Sequence, residues 1–161
     1  NLAAGATSTG LSAGLFYDGK QMGEAFVALN ALGRRLAATQ HAGNLQLAGS
    51  VSAPLFRDGA RWVLAIWSEG APKSVEVPVA GATELQLSDA WGNPVALPEV
   101  KDGGLSVDAG PMPVLLTGSG GALLVDAARN KAANAARRLL DDKSLQRWIA
   151  PEVRTLAQAA E

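Results

Sequence analysis

The sequence contains no cysteine, and this absence removes several kinds of chemistry at once. Disulfide bonds, thiolate zinc sites and a cysteine nucleophile are all excluded. Aromatic residues make up only 5% of the chain, whereas 48% of it is hydrophobic. Alanine and the aliphatic residues supply most of that share, so we expect a core of small and aliphatic side chains.

The chain also lacks a strong excess of charge and a long apolar run. Fourteen basic residues stand against fifteen acidic ones. A phosphate backbone is held by clustered cationic side chains, and no such cluster is present, so a nucleic-acid partner is not expected. No apolar stretch reaches the roughly 18–20 residues that a transmembrane helix needs, so we expect no membrane span.

Apolar residues recur at spacings of three and four between residues 21 and 38, which predicts an amphipathic helix. The stripe consists of Met22, Phe26, Leu29, Leu32 and Leu36. The same period returns after Leu123, on a stripe of Leu124, Ala128, Ala132, Ala135, Leu139 and Leu140. Further helical segments are predicted over 144–148 and 152–160, so the chain should end in more than one helix.

The residues between these helices follow the two-residue period of β-strands. Residues 45–53 alternate apolar and small polar side chains, while 61–68 is almost continuously apolar, as in a central strand. The Asp58-Gly59 pair predicts a hairpin within 51–68. Further short strands are predicted at close spacing over 74–79, 84–88, 95–97, 104–108 and 114–117.

These patterns predict a mostly β fold. Short strands with a turn every eight to twelve residues are typical of an antiparallel, Ig-like β-sandwich, here of about seven strands. A parallel sheet needs a crossover between its strands, and no gap is long enough to hold a helix. We expect an N-terminal helix and C-terminal helices to flank the sandwich, with the first helix covering an otherwise exposed sheet face.

No set of residues in the sequence predicts catalysis, a metal site or a cofactor. His41 is the only histidine, and it falls at the expected exit of the first helix, where a capping or surface role is the ordinary one. Asp18, Asp58 and Asp102 each precede glycine, so turn geometry explains them. No pair of carboxylates stands out as an acid and base couple.

Aromatic residues offer one binding hypothesis, because sugar rings stack on exposed aromatic faces. Trp62 and Trp67 differ by five positions, so on one strand they should face opposite sides, and core packing is their ordinary role. Trp91 stands in a predicted turn. Trp91, Tyr17 and Trp62 are therefore the candidate residues for carbohydrate binding.

Several motifs together resemble the C-terminal end of clan-A-type glycoside hydrolases, in which a (β/α)8 barrel is followed by a small β-sandwich. Residues 14–20 resemble the loop after the eighth barrel strand, and 22–38 resemble the last barrel helix. Residues 56–68, the Asp-x-x-Gly-Asn turn at 89–93 and the closing segment 105–118 resemble the sandwich. The catalytic glutamates of these enzymes lie on the fourth and seventh barrel strands, and no position of this chain matches them.

The resemblance implies a piece of a longer, exported bacterial protein of the periplasm or extracellular space. Its parts would be the end of a barrel at 1–43, a β-sandwich at 44–118 and a helical extension at 119–161. The sandwich would be non-catalytic and would stabilise the catalytic barrel of the same protein, its main partner, with a glycan as a second one. The alternatives are a carbohydrate-binding module, or a protein-interaction module that uses the C-terminal helices.

Overall fold

A computed structural model describes residues 16–17, 21–22, 24–47 and 50–141 of the chain, with side chains described for 26–47 and 50–139. Two helices, α1 (Glu24–Leu36) and α2 (Leu123–Asp141), flank a series of short strands. The strands are β1 (Phe16–Tyr17), β2 (Gln21–Met22), β3 (Gln40–Asn44), β4 (Val51–Ser52), β5 (Pro54–Asp58), β6 (Arg61–Ser68), β7 (Lys73–Pro78), β8 (Ala82–Ser88), β9 (Pro94–Val95), β10 (Val100–Lys101), β11 (Gly104–Ala109) and β12 (Val114–Gly120).

These strands form two facing sheets and a separate ribbon. The large sheet has the order β3-β5-β6-β12-β8-β9, with β4 also paired to β6, and the small sheet has the order β10-β11-β7. The strands β1 and β2 pair only with each other. Every pairing is antiparallel. The prediction of a mostly antiparallel β fold flanked by helices is confirmed.

The hairpin around Asp58-Gly59 is present as predicted. Asp58 pairs with Arg61 across a two-residue turn, and Gly59 has a φ of 58°. Glycine adopts this left-handed conformation without the steric cost that a Cβ brings. The turn joins β5 to β6, which is the central strand that its continuous apolar run predicts.

The strand predicted over 45–53 is present only in part. Residues 45–47 form no strand, Val51–Ser52 form the short β4 that pairs with β6, and Pro54 begins β5 instead of interrupting a strand. Proline is tolerated as a first strand residue because it cannot donate to the ladder. His41 consequently lies within β3 and not at a helix exit, and the large sheet starts at Gln40, before the expected boundary at 44.

Both helices differ in detail from their predicted stripes. Helix α1 begins at Glu24, and Met22 belongs to β2. On α2 the buried residues are Leu123, Ala127, Ala133 and Ala136, while most of the predicted stripe is exposed. Alanine occupies so many positions of α2 that hydrophobicity alone does not single out one face. The segments predicted at 144–148 and 152–160 lie outside the described residues.

The main core fills the space between the two sheets. Alternate side chains of β6, namely Trp62, Leu64 and Ile66, meet apolar side chains from the small sheet. The small sheet contributes Val75, Val77, Leu105, Val107 and Ala109. Helix α2 adds Leu123 and Ala127 to the same cluster, so it closes one edge of the sandwich beside β3.

The opposite surface of the large sheet, here called the outer face, is also largely apolar. Directly paired residues share one face of a sheet, and Val63, Ala65, Phe56 and Leu115 all occupy this side. Val63 is only 7% exposed, Ala65 6% and Leu115 1%. The outer side of the small sheet is instead polar and exposed, with Ser74, Glu76, Ser106 and Asp108.

A close contact between β12 and β6 explains a glycine in the middle of a strand. A Cβ at Gly118 would lie 2.5 Å from the Cζ2 atom of Trp62 and 2.9 Å from a methyl carbon of Leu85. The indole also donates a hydrogen bond from Nε1 to the carbonyl oxygen of Gly120 at 2.7 Å. The ring of Trp62 therefore lies across Gly118 and is held there at both ends.

We expect the Gly118→Ala substitution to destabilise the sandwich by about 1–3 kcal/mol, because the added methyl group overpacks a rigid aromatic contact. Gly33→Ala is the matched control, since no atom lies within 4 Å of the added Cβ on exposed α1. Alanine should there stabilise the helix by roughly 0.5–1 kcal/mol. Chemical denaturation of both variants measures the difference, and equal stabilities would contradict the packing described for Trp62.

Candidate functional site

The turn that follows β8, residues 89–93 and here called the Asp89 turn, is organised by one carboxylate. Asp89 Oδ1 accepts hydrogen bonds from the backbone N–H groups of Trp91 at 2.9 Å and Asn93 at 2.8 Å. Its Oδ2 accepts a third from the side-chain amide of Asn93 at 2.8 Å. This is the geometry by which aspartate fixes a turn, and it explains the Asp-x-x-Gly-Asn spacing without any catalytic role.

The Asp89 turn also contacts α1, through Gly92. Gly92 has a φ of 92°, and a Cβ on it would lie 3.2 Å from the Cβ of Ala31. Arg35 Nη2 donates a long hydrogen bond, at 3.5 Å, to the Gly92 carbonyl oxygen. Glycine at position 92 therefore serves both the left-handed backbone and the close approach of α1.

The pKa of Asp89 reflects these contacts. Desolvation raises the pKa, but hydrogen bonds from the Asn93 side chain and from the backbone of Asn93, Trp91 and Gly92 favour the charged form. Together they outweigh desolvation and hold the pKa below its ordinary value of 3.8. The carboxylate is thus bound in its ionised form.

A cleft of about 710 Å³ opens between the C-terminal end of α1 and the outer face, and we call it the arginine cleft. Arg34 and Arg35 contribute from α1, and Arg61 contributes from β6. Asp58 and Glu84 lie on the sheet side. Three cationic side chains and two carboxylates thus border one space.

Glu84 reaches the arginine cleft through an irregularity in β8. The pairing of β8 with β12 shifts between Thr117 and Ser119, so that two residues of β8, Glu84 and Leu85, oppose Gly118 alone. Glu84 has a φ of 56°, in the left-handed region that few non-glycine residues occupy. The bulge allows Leu85 to pack near Trp62 while Glu84 lines the cleft.

A second, smaller cleft of about 330 Å³ lies beside Trp91. Its lining joins Trp91 and Gly92 to five residues of α1, namely Val27, Asn30, Ala31, Arg34 and Arg35. The indole of Trp91 is half-buried there. Part of the ring therefore remains accessible beside the helix.

The three aromatic residues proposed for carbohydrate binding belong to different elements of the fold. Trp62 is 1% exposed and packs in the core, which argues against a stacking role because no ring face is free. Trp91 stands at the second cleft, and Tyr17 belongs to β1, with its side chain outside the described residues. Trp67 lies on the opposite side of β6 from Trp62, as their spacing predicts.

His41 has a structural environment within β3. Its ring lies 5.6 Å from that of Phe56 between centroids, and Nε2 is 3.4 Å from Asn44 Oδ1. Its carbonyl oxygen accepts a hydrogen bond from Lys131 Nζ of α2 at 2.7 Å. These contacts tie α2 to the edge of the large sheet.

Sequence patterns did not point to the arginine cleft. Arg34 and Arg35 read as ordinary basic residues at a helix C-terminus, and Arg61 as the start of a strand. In the part of the chain that the structure describes, no three histidine, aspartate or glutamate residues group as metal ligands. Neither α1 nor the described part of α2 has the length and apolarity to cross a bilayer.

Comparisons with known proteins agree with the fold. No protein-family model matches the chain, and no curated protein matches it either. A solved structure of a family 39 glycoside hydrolase from the gut symbiont Bacteroides cellulosilyticus WH2 superposes with a TM-score of 0.56 at 18% identity. The chain shares its fold with part of that enzyme. The match spans 65% of this chain and 22% of the hydrolase chain, and at this identity it shows the fold alone.

We expect Asp89→Ala to destabilise the protein by about 1–2 kcal/mol, because three hydrogen bonds to one carboxylate disappear and Gly92 loses its support for α1. Asp108→Ala is the control, since Asp108 is exposed on the small sheet and should change stability by under about 0.5 kcal/mol. Thermal unfolding at neutral pH measures both. An unchanged melting temperature for Asp89→Ala would contradict the role of the turn.

The lowered pKa of Asp89 predicts a pH dependence. A group whose pKa is lower in the folded state stabilises the fold fully above its unfolded pKa and loses that contribution as pH falls through the folded pKa. The wild type should therefore have a higher free energy of unfolding than Asp89→Ala at neutral pH, and this difference should shrink as the pH falls below about 3.8. Unfolding curves recorded across the acidic range measure it, and a difference that grows on acidification would refute the assignment.

Proposed function

We propose that this chain is a non-catalytic accessory β-sandwich, joined to the last helix of a barrel, in a larger glycoside-hydrolase-like protein, and that it stabilises the catalytic barrel. The observation that carries the proposal is the burial of apolar side chains on both faces of the large sheet. An antiparallel sheet in a two-layer sandwich ordinarily has one face packed and one face solvated. A sheet with two buried faces serves as a middle layer.

In this proposal α1 is the last helix of the barrel. Arg34 and Arg35 of α1, with residues 37–39 just beyond it, form one wall of the arginine cleft, and residues of β6, β8 and β12 form the other. The C-terminal end of α1 therefore lies beside the outer face. The Asp89 turn attaches it to the sandwich through Gly92 and Arg35. The fold shared with part of a family 39 glycoside hydrolase supports the proposed origin of the chain.

The side of α1 that carries Val27 supplies the surface for the remainder of the barrel. Val27 is 43% exposed, a large fraction for an apolar side chain on a helix that is otherwise half-buried at Phe26, Leu29 and Leu32. An exposed apolar position beside a packed helix face suits burial against a further element. The barrel of the same protein is that element in this proposal.

A carbohydrate-binding module remains the second candidate, because Trp91 is half-buried beside a cleft of about 330 Å³. Stacking on one accessible indole supports weak affinity, since dedicated sugar sites use more than one aromatic face. A Trp91→Ala variant that abolishes millimolar glycan binding by this chain would favour this function over the accessory role.

A protein-interaction role for the C-terminal helices is a third candidate, because Val125 is 58% and Leu139 44% exposed on α2. Self-association or partner binding lost on deleting residues 123–161 would favour it.

The accessory role is tested with the full-length product of the gene. We expect Val27→Glu to lower the melting temperature of the catalytic barrel by several degrees, because a charge replaces an apolar side chain at the proposed contact. Val100→Glu is a matched control: Val100 is also 43% exposed but lies in the small sheet, far along the chain from α1. Differential scanning calorimetry measures the melting temperature of each full-length variant, and hydrolysis of aryl glycosides measures the activity of its barrel.

In the isolated chain both valine variants should fold with nearly wild-type stability, and the chain should not hydrolyse aryl glycosides. Equal melting temperatures of the two full-length variants would contradict the proposed contact. Hydrolysis by the isolated chain would contradict the non-catalytic role.

A further inference from the structure

The three arginines of the arginine cleft have no anionic partner among the residues that the structure describes. The ion pairs among the described residues join Lys101 to Glu99 and Arg129 to Asp126, and none involves Arg34, Arg35 or Arg61. Arg61 and Asp58 are paired across the β5–β6 hairpin, yet their charged groups form no ion pair. The cationic groups therefore remain available to an external anion.

Arg35 adds a third, partly buried positive charge to the wall of the cleft. Its Nη1 atom is buried and has no hydrogen-bond acceptor among the described residues, while Nη2 reaches only the Gly92 carbonyl oxygen. A partly buried guanidinium without a carboxylate beside it is an uncompensated charge, and its field acts on whatever enters the neighbouring space. Arg34 and Arg61 are exposed, so they are the two that contact a ligand directly.

The sheet side of the cleft carries acceptors and donors suited to hydroxyl groups. Asp58 and Glu84 accept hydrogen bonds, and Gln86 both donates and accepts. Glu84 is delivered to this surface by the β8 bulge at a left-handed φ, a feature found often near binding sites. The cleft volume of about 710 Å³ falls within the roughly 300–1,000 Å³ of small-ligand sites.

We propose that the arginine cleft binds a sugar acid, with its carboxylate held by Arg34 and Arg61 and its hydroxyl groups held by Asp58, Glu84 and Gln86. Arginine presents the planar donors that match a carboxylate, whereas carboxylates and amides match the hydroxyls of a polyol. The choice of a carbohydrate over another hydroxylated carboxylate rests on the proposed function. Arg34 and Arg35 border the Trp91 cleft as well, so Arg61 and Gln86 are the residues that distinguish the arginine cleft from it.

Titration of the isotope-labelled chain with glucuronate, glucose and acetate at constant ionic strength tests the proposal by NMR. Glucuronate should shift the backbone amides of Gln86, Thr117 and Gly118 in a saturable manner. Glucose lacks the carboxylate and acetate lacks the hydroxyls, so each should bind on the order of tenfold more weakly or not at all. Failure of glucuronate to shift these amides would overturn the proposal.

Variants separate the cleft from general charge attraction. Arg34→Gln and Arg61→Gln should each weaken glucuronate binding on the order of tenfold with an unchanged fold by circular dichroism. Arg138→Gln, which removes an exposed arginine from α2, should leave binding unchanged. Equal losses in all three variants, or acetate binding as tightly as glucuronate, would refute a sugar-acid site.

This experiment is independent of the barrel contact. Loss of glucuronate binding with a preserved effect of Val27→Glu on the full-length protein would remove the ligand site and leave the accessory role intact. If glucuronate binds but Val27→Glu leaves the full-length protein unchanged, the ligand site stands and the proposed barrel contact is refuted.

Discussion

The architecture depends on a large sheet that buries apolar side chains on both of its faces. On β6 the residues Trp62, Leu64 and Ile66 point to the small sheet, while Val63 and Ala65 point to the outer face. Removing the inner layer would expose the main core, and removing the cover of the outer face would expose a second apolar surface. The sheet is therefore stable only between two layers.

The Asp89 turn gives α1 a specific position on the sandwich. Hydrophobic burial alone would let α1 slide or rotate over an apolar surface, since it is non-directional. The hydrogen bonds of Asp89 shape the turn, and the glycine at 92 lets the backbone approach Ala31 closely. Directional contacts at one end of α1 thus select one placement from many that burial would permit.

The polar end of the same outer face has a different character. There the sheet presents Arg61, Asp58, Gln86 and, through the bulge, Glu84, in place of the apolar residues further along the strands. The α1 C-terminus adds cations where the helix dipole favours them. One sheet surface therefore carries buried apolar side chains and, beside them, a hydrophilic cleft.

Much of the strand content could be read from the sequence because local signals agree with the final fold. The Asp58-Gly59 turn, the apolar run of β6 and the short strands after it each have a periodicity or a turn residue of their own. The strand expected over 45–53 forms only at Val51–Ser52 among the described residues, and its alternation of small residues carries little hydrophobic contrast. The sequence of β3, with glycine and polar residues, carries still less, and its pairing with β5 and contact with α2 are long-range.

The sequence by itself determined the antiparallel β class, the two flanking helices and the absence of any cysteine chemistry, because these follow from composition and local period. Only the tertiary structure decided which face of α2 is buried, that Trp62 is enclosed, and that Arg34, Arg61 and Glu84 border one cleft. Those residues are distant in the chain, and a bulge and a helix placement bring them together. No local sequence pattern predicts that these residues lie close together, since their proximity depends on how separate elements pack.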